Sequence, residues 1–447
     1  MTQAMRTQDY YPLLEHIKSK INSWTCRYLS YAGRLQLIIS VFVSIVNFWI
    51  SVFRIPSSCI KEVESICSAF LWTGPVLKTS NAKVAWKEIC CIKSEGGLGI
   101  RDLREVNKVY GLKLIWRLLT GDSLWGKWVR GNLLKGKSFW AVKSNPQMGS
   151  CIWRKILKLR EVAKLFYKKE IGNGRHSSFW YDHWSDKGVL SELLGDRGVI
   201  DLGVGKDATV EEAVLCIRRR RRHRSSVLND IEAEIREISS RLDPEVNDVS
   251  TWKGKAGYKR KFSTQETWML LRGSSPLCSW ASGIWFPQTT PRYAFMAWLA
   301  SRDRLSTMDR VVKWSHGVDS TCVLCRSTQE SRNHLFFECD YTSKLWESMV
   351  KGIMGNYFTK HWSEIMEFIN ESSREKRILF CIRYAFQVVL YAVWRERNKI
   401  RHGDKLLPLG VLKRLLDKSI RNKFSVMRKK GIKGAGELMQ FWFQNSL

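Results

Sequence analysis

The chain has 447 residues and a formal charge of +32, from 74 Lys and Arg against 42 Asp and Glu. Hydrophobic residues make up 44%, enough to bury the cores of two to four domains, which excludes a disordered polyelectrolyte. The charge points to polyanionic partners, nucleic acid first, and twelve scattered cysteines without a signal-peptide pattern at residues 1–10 point to free thiols in a reducing, intracellular compartment, the nucleus included.

Leu13, Leu14, Ile17 and Ile21 recur at helical spacing. Residues 35–53 follow with no charge over nineteen positions, the only candidate membrane span in the sequence. Gln36, Ser40, Ser44, Asn47 and Ser51 fall on one helical face, however, so the stretch is expected to be a buried helix in a soluble protein. GGLGIRDL holds Gly96, Gly97 and Gly99 without the Lys-Ser/Thr of a phosphate loop, and reads as a bend before a helix over 107–119.

Between 120 and 245 the signals are weaker. IGNGRHSSFWYDHW suggests a hairpin at Asn173-Gly174. His176, Asp182 and His183 lie close in sequence, yet a polar turn with exposed side chains explains them better than a metal or acid–base site. Arg218, Arg219, Arg220, Arg221, Arg222 and Arg224 form the densest basic run, suited to phosphate contacts, to nuclear import or to a solvated face. A helix is expected over 227–242.

The segment 246–350 reads as a strand or turn region, then a helix capped at Ser263 or Thr264 with Glu266 completing a capping box, then a loop over 276–287. Helices are expected over 292–302 and up to 350. Between the last two lie Cys322, Cys325, His334 and Cys339. Two residues separate the cysteine pair, eight lead to the histidine and four more to the last cysteine. A two-residue gap lets one turn present both sulfurs to one ion, and thiolates with a neutral imidazole make a closed tetrahedral Zn2+ site. Four ordinary buried small residues are the competing explanation. Beside them, Arg326 and Arg332 could meet phosphate, and Trp314 and Phe336 could stack on bases, although Phe336 is as readily a core residue. The remainder, 351–447, reads as helical. It is rich in Lys and Arg from Arg395 and Arg397 to Lys433, which suits a nucleic-acid backbone or a solvated surface.

CVLC, ESRNHLFFEC and the following Leu-Trp pair resemble the zinc-binding domain C-terminal to the reverse transcriptase of plant LINE-type (non-LTR) retrotransposons. WFPQTTPRYAFMAWLASRDRLSTMDRVVKW resembles the segment before those ligands, and AVWRERNKIRHG the tail after them. Residues 24–56, SAFLWTG and 86–119 are similar to the region past the polymerase palm. The resemblance implies a mainly α fold in four parts: 1–120 from the end of a reverse transcriptase, 121–245 connecting, 246–350 the zinc-binding domain and 351–447 a basic helical tail. It implies Zn2+, and RNA or single-stranded DNA as partners. The family's polymerase needs a Tyr-x-Asp-Asp turn to hold two metal ions, and this sequence has no Asp-Asp pair and no RNase-H-like set of spaced carboxylates. The expectation is therefore a non-catalytic, zinc-containing, nucleic-acid-binding remnant. The alternatives are a structural or partner-binding relic and an accessory to a reverse transcriptase chain supplied in trans.

Overall fold

The computed structural model describes residues 6–23, 29–121, 123–142, 150–215, 223–315 and 317–446. It is 63% helical with few strands, so the chain is mainly α. It packs as two compact units. The first takes residues 1–16, 44–63 and 102–274, and the second takes 17–43, 64–101 and 275–447. Each is assembled from separated segments, so the stretch 246–274, grouped by sequence with the zinc-binding segment, folds into the first unit.

The first unit is built on aromatic packing. Its helix Leu103–Thr120 starts four residues before the sequence expectation, because the Asp102 carboxylate caps the amides of Arg104 and Glu105. Leu112, Ile115 and Trp116 of that helix bury against Trp140, Trp153, Phe166 and Trp252. Trp116 meets Trp252 edge-on, and Phe166 stacks on it. Such pairs add roughly 0.5–1.5 kcal/mol each beyond burial. Most tryptophans of this region are buried, Trp128 being an exposed exception.

Three antiparallel strands, β1 (Tyr167–Glu170), β2 (Val249–Gly254) and β3 (Gly257–Lys259), form a sheet in that order, with Tyr167 opposite Trp252 and Trp252 opposite Lys259. The hairpin lies between β2 and β3, and none forms at Asn173-Gly174. There the chain makes a loop whose donors converge on one carboxylate. Asp248 accepts from Gly172 N (2.9 Å), Gly174 N (2.8 Å), His176 N (3.3 Å) and Ser177 Oγ (2.6 Å). His176, Asp182 and His183 form a structural turn: the buried Asp182 carboxylate accepts from Ser178 N at 2.8 Å. Phe179, Trp180 and Trp184 then plug a second core with Leu190, Val210 and Ile231.

The second unit is a helical assembly. Helix Pro291–Ser301 packs on helices Lys376–Arg401 and Tyr31–Leu37, with Tyr31 stacked on Phe295. The glycine bend serves structure, as expected. Gly96 O accepts from the Trp298 indole at 2.8 Å, and a Cβ on Gly97 would sit 2.0 Å from Cys91 O. The expected loop at 276–287 contains a short helix, Ala281–Ile284. At the far end, helices Asp340–Met354, Leu409–Lys429 and Ala435–Asn445 pack together and against Lys376–Arg401. Leu412, Leu416, Ile420 and Phe424 form the buried stripe of Leu409–Lys429, and Phe337 stacks on Phe386.

Among the described residues, two helices are long and apolar enough to cross a membrane by length and composition: Tyr31–Val52 and Lys376–Arg401. The second corrects the expectation of a single candidate. Its apolar window is 61% buried, the mark of a core helix. In the first, Ile38, Phe42, Val46 and Ile50 are buried and Gln36, Ser40, Ser44 and Ser51 face outward. The polar stripe is thus its solvent side, and with 22% of its apolar window buried the helix is not the buried one expected.

Candidate metal centre and basic surfaces

Local chemistry explains how the four sequence-predicted ligands are presented. In CVLC the chain folds back at once: Arg326 N donates to Cys322 O at 2.8 Å, with Arg326 itself at φ +57°. Cys322 N donates to Thr328 O, and Thr321 bridges Gln329. His334 opens the turn His334–Glu338, its amide capped by Ser331 Oγ at 3.2 Å. Leu335, Phe336 and Phe337 are fully buried within that turn and anchor it. Phe336 is therefore core, while Trp314 is 59% exposed. Cys339 N returns to His334 O at 2.8 Å, and Cys339 stands at the N-cap of helix Asp340–Met354.

The ligand atoms of Cys322, Cys325, His334 and Cys339 all lie within 4.8 Å of one another. Cys325 Sγ is 3.3 Å from His334 Nε2. A tetrahedron with Zn–S near 2.3 Å and Zn–N near 2.0 Å has edges of roughly 3.5–3.8 Å, so the donor set fits zinc. Thr328 Oγ1 lies against the His334 ring, 3.0 Å from Nε2 and 3.3 Å from Nδ1, and 3.7 Å from Cys325 Sγ. Cys322 and Cys339 are buried, whereas Cys325 and His334 are half-buried and give the ion a way in.

Backbone amides converge on the sulfurs. Leu324 and Cys325 donate to Cys322, Ser327 and Thr328 to Cys325, and Tyr341 and Thr342 to Cys339. Burial pushes the Cys325 thiol up, but those donors and the Ser327 hydroxyl outweigh it and hold it at about 5. A hydrogen bond shared with Cys322 holds Cys339 below the usual thiol range, and the same bond, with burial, drives Cys322 up. Burial lowers His334, but its bonds to Cys325 and Cys322 raise it on balance. Helix N-termini and turn amides favour thiolate, the form that ligates metal. The other cysteines among the described residues, Cys59, Cys67, Cys90, Cys91, Cys151, Cys278 and Cys381, are free thiols.

The loop between the second and third ligands is locked from a distance. Glu330 is fully buried and receives Arg397 from helix Lys376–Arg401, with Nε at 3.1 Å from both carboxylate oxygens and Nη2 at 2.6 Å from Oε1. Met308 N adds a bond at 3.0 Å, and Arg397 Nη2 also reaches Ser306 O. Sequence reasoning missed this pair. The available signal was that Val389, Val393 and Arg397 share one four-residue stripe of the helix.

Residues 262–346 match the family model described as zinc-binding in reverse transcriptase. An uncharacterized mitochondrial protein of Arabidopsis thaliana is 30% identical over 138 residues, which is 30% of this chain and 88% of that protein. The chain belongs to the plant retrotransposon reverse-transcriptase family. A putative ribonuclease H protein of Arabidopsis thaliana is 26% identical over 349 residues, or 76% of this chain. The match takes in 55% of that relative, so the chain spans about half its length.

The arginines read from sequence as nucleic-acid contacts of this family member fare differently. Arg218 to Arg222 lie outside the described residues, and Arg224 is exposed. Arg326 is exposed beside Cys325, and Arg395 is exposed on helix Lys376–Arg401. Arg397 is a correction: it is buried and ion-paired to Glu330, out of reach of any phosphate. Arg332 is half-buried, stacked 4.3 Å from the Trp362 ring centroid and bonded to Asn333 Oδ1, so its guanidinium serves packing.

Proposed function

We propose that the chain is a zinc-stabilised, nucleic-acid-binding portion of a LINE-type reverse transcriptase that does not itself polymerise. The observation that carries the reading is the convergence of Cys322, Cys325, His334 and Cys339 inside the segment matching the family's zinc-binding domain. When bound, the ion supplies a tetrahedral crosslink among the two cysteines of CVLC, the His334 turn and the start of helix Asp340–Met354. The chain's own residues do the rest. Arg326 and Arg395 are open to phosphate, and helix Leu409–Lys429 carries Arg414 and Lys418 on its exposed side. The +32 charge supplies long-range attraction. Reduced thiol ligands imply an intracellular, reducing location. Lack of an Asp-Asp pair argues against two-metal nucleotide transfer.

A second reading, that zinc only holds the fold, is favoured by the inward turn of Arg332 and Arg397. Binding of a labelled RNA or single-stranded DNA across a salt series separates the two. Nucleic-acid binding requires affinity that falls steeply with salt, each phosphate contact contributing about one unit to the log–log slope. Replacing the six arginines between 218 and 224 tests that run by the change in slope. Affinity too weak to detect at ~50 mM salt would leave the structural reading standing.

A further inference from the structure

The last turns of helix Lys376–Arg401 carry an outward face of unusual composition. Tyr391, Trp394, Arg395, Lys399 and His402 recur at helical steps and line an open groove of about 360 Å³, with Asp404 also in its lining. A solvent-facing stripe is ordinarily polar, and two large aromatics kept half-exposed there need another reason. Both rings are held by neighbouring side chains. The Arg397 guanidinium, held by Glu330, lies 4.9 Å from the Trp394 ring centroid. Tyr391 packs on Tyr293 at 5.0 Å, and the exposed Arg292 lies 5.4 Å from its centroid. The groove thus offers ring surface beside the exposed Arg395, which has no ion-pair partner among the described residues, while Lys399 is partly neutralised by Glu396 at 3.2 Å.

We propose that this groove is a stacking site for unpaired bases of single-stranded RNA or DNA. Tyr391 and Trp394 would take base faces and Arg395 the adjoining phosphate, with Asp404 keeping phosphate from its part of the groove. Stacking on aromatic rings tolerates any base but needs bases freed from a duplex. Charge alone would not discriminate in this way. The inference rests on the nucleic-acid reading above, to which it adds a place and a preference for single strands.

The test uses full-length, zinc-loaded protein and labelled oligonucleotides of roughly fifteen nucleotides, single-stranded or as a blunt duplex. The single strand is expected to bind more tightly. Trp394→Ala should weaken it by about ten-fold, leave the duplex nearly unchanged and so remove the preference, and Trp394→Phe should restore most of it. Arg395→Gln should lower the salt slope by about one. Because Trp394 touches Arg397, zinc content is measured on each variant. If Trp394→Ala loses zinc, photocrosslinking of a bromouracil-substituted strand to the unaltered protein decides, with adducts expected on the peptide carrying Tyr391 and Trp394. Equal affinity for strand and duplex, an equal loss of both in Trp394→Ala, or crosslinks only elsewhere would overturn the groove while leaving charge-driven binding intact. No binding of either would overturn the broader reading and the groove with it.

Discussion

Two loops in this chain solve one problem in opposite ways. Residues 171–178 and 321–339 are both turn-rich stretches in which backbone amides point inward. In the first, three amides and the Ser177 hydroxyl meet the single carboxylate of Asp248. One negative charge among four donors is a balanced centre, and a carboxylate from the start of β2 supplies it. In the second, amides converge on three sulfurs that, with an imidazole, lie within 4.8 Å. Three sulfurs and an imidazole at that spacing are a donor set that suits a cation. The amides favour thiolate at Cys325 and Cys339, and a bound metal would hold the whole set in that form.

The comparison can be broken from either side. The largest effect is expected for Cys322→Ser or Cys339→Ser. Metal binding to small zinc domains contributes on the order of 10 kcal/mol at neutral pH, and either change should release the ion. Hydrogen exchange should then accelerate across 320–354 while the 171–178 loop stays protected, and chelation of the unaltered protein should reproduce the pattern. Next comes Arg397→Met, which strands the buried Glu330 charge and should cost about 3–5 kcal/mol in denaturant unfolding of the second unit. Arg397→Met with Glu330→Gln should recover part of that loss, showing that the penalty is the uncompensated charge. Asp248→Ala should cost about 2–3 kcal/mol by orphaning the loop amides, with zinc content unchanged.

The smallest effect is a pH dependence of that last difference. Burial pushes the Asp248 carboxyl up, but Ser177 and the Gly172 and Gly174 amides more than offset it and hold it below the usual range. Its contribution is therefore fully present above the unfolded value near 4 and is lost as pH falls through the lower folded value. The gap in melting temperature between Asp248→Ala and the parent should close as pH drops below about 4. A gap that persists in acid would mean that Asp248 acts through packing.

What the sequence made legible follows from distance along the chain. The four candidate ligands lie within eighteen positions, and the Ser263 cap reaches only to Glu266 N. Even there half of the capping box failed, because the Glu266 side chain turns to Lys255 N and Lys259 instead. Asp248 closes a loop more than seventy residues earlier, and Arg397 finds Glu330 sixty-seven residues away. No local spacing encodes such pairs. Net charge hid the second of them: an excess of Arg suggests an outward surface, whereas the register of the buried stripe decides which arginine turns inward.

Whether Cys322, Cys325, His334 and Cys339 hold a zinc ion is decided by elemental analysis combined with native mass spectrometry of the folded, reduced 447-residue chain. One zinc per chain, lost in Cys322→Ser and in His334→Ala, is the predicted result. Folded protein without zinc, or zinc retained by both variants, would contradict it.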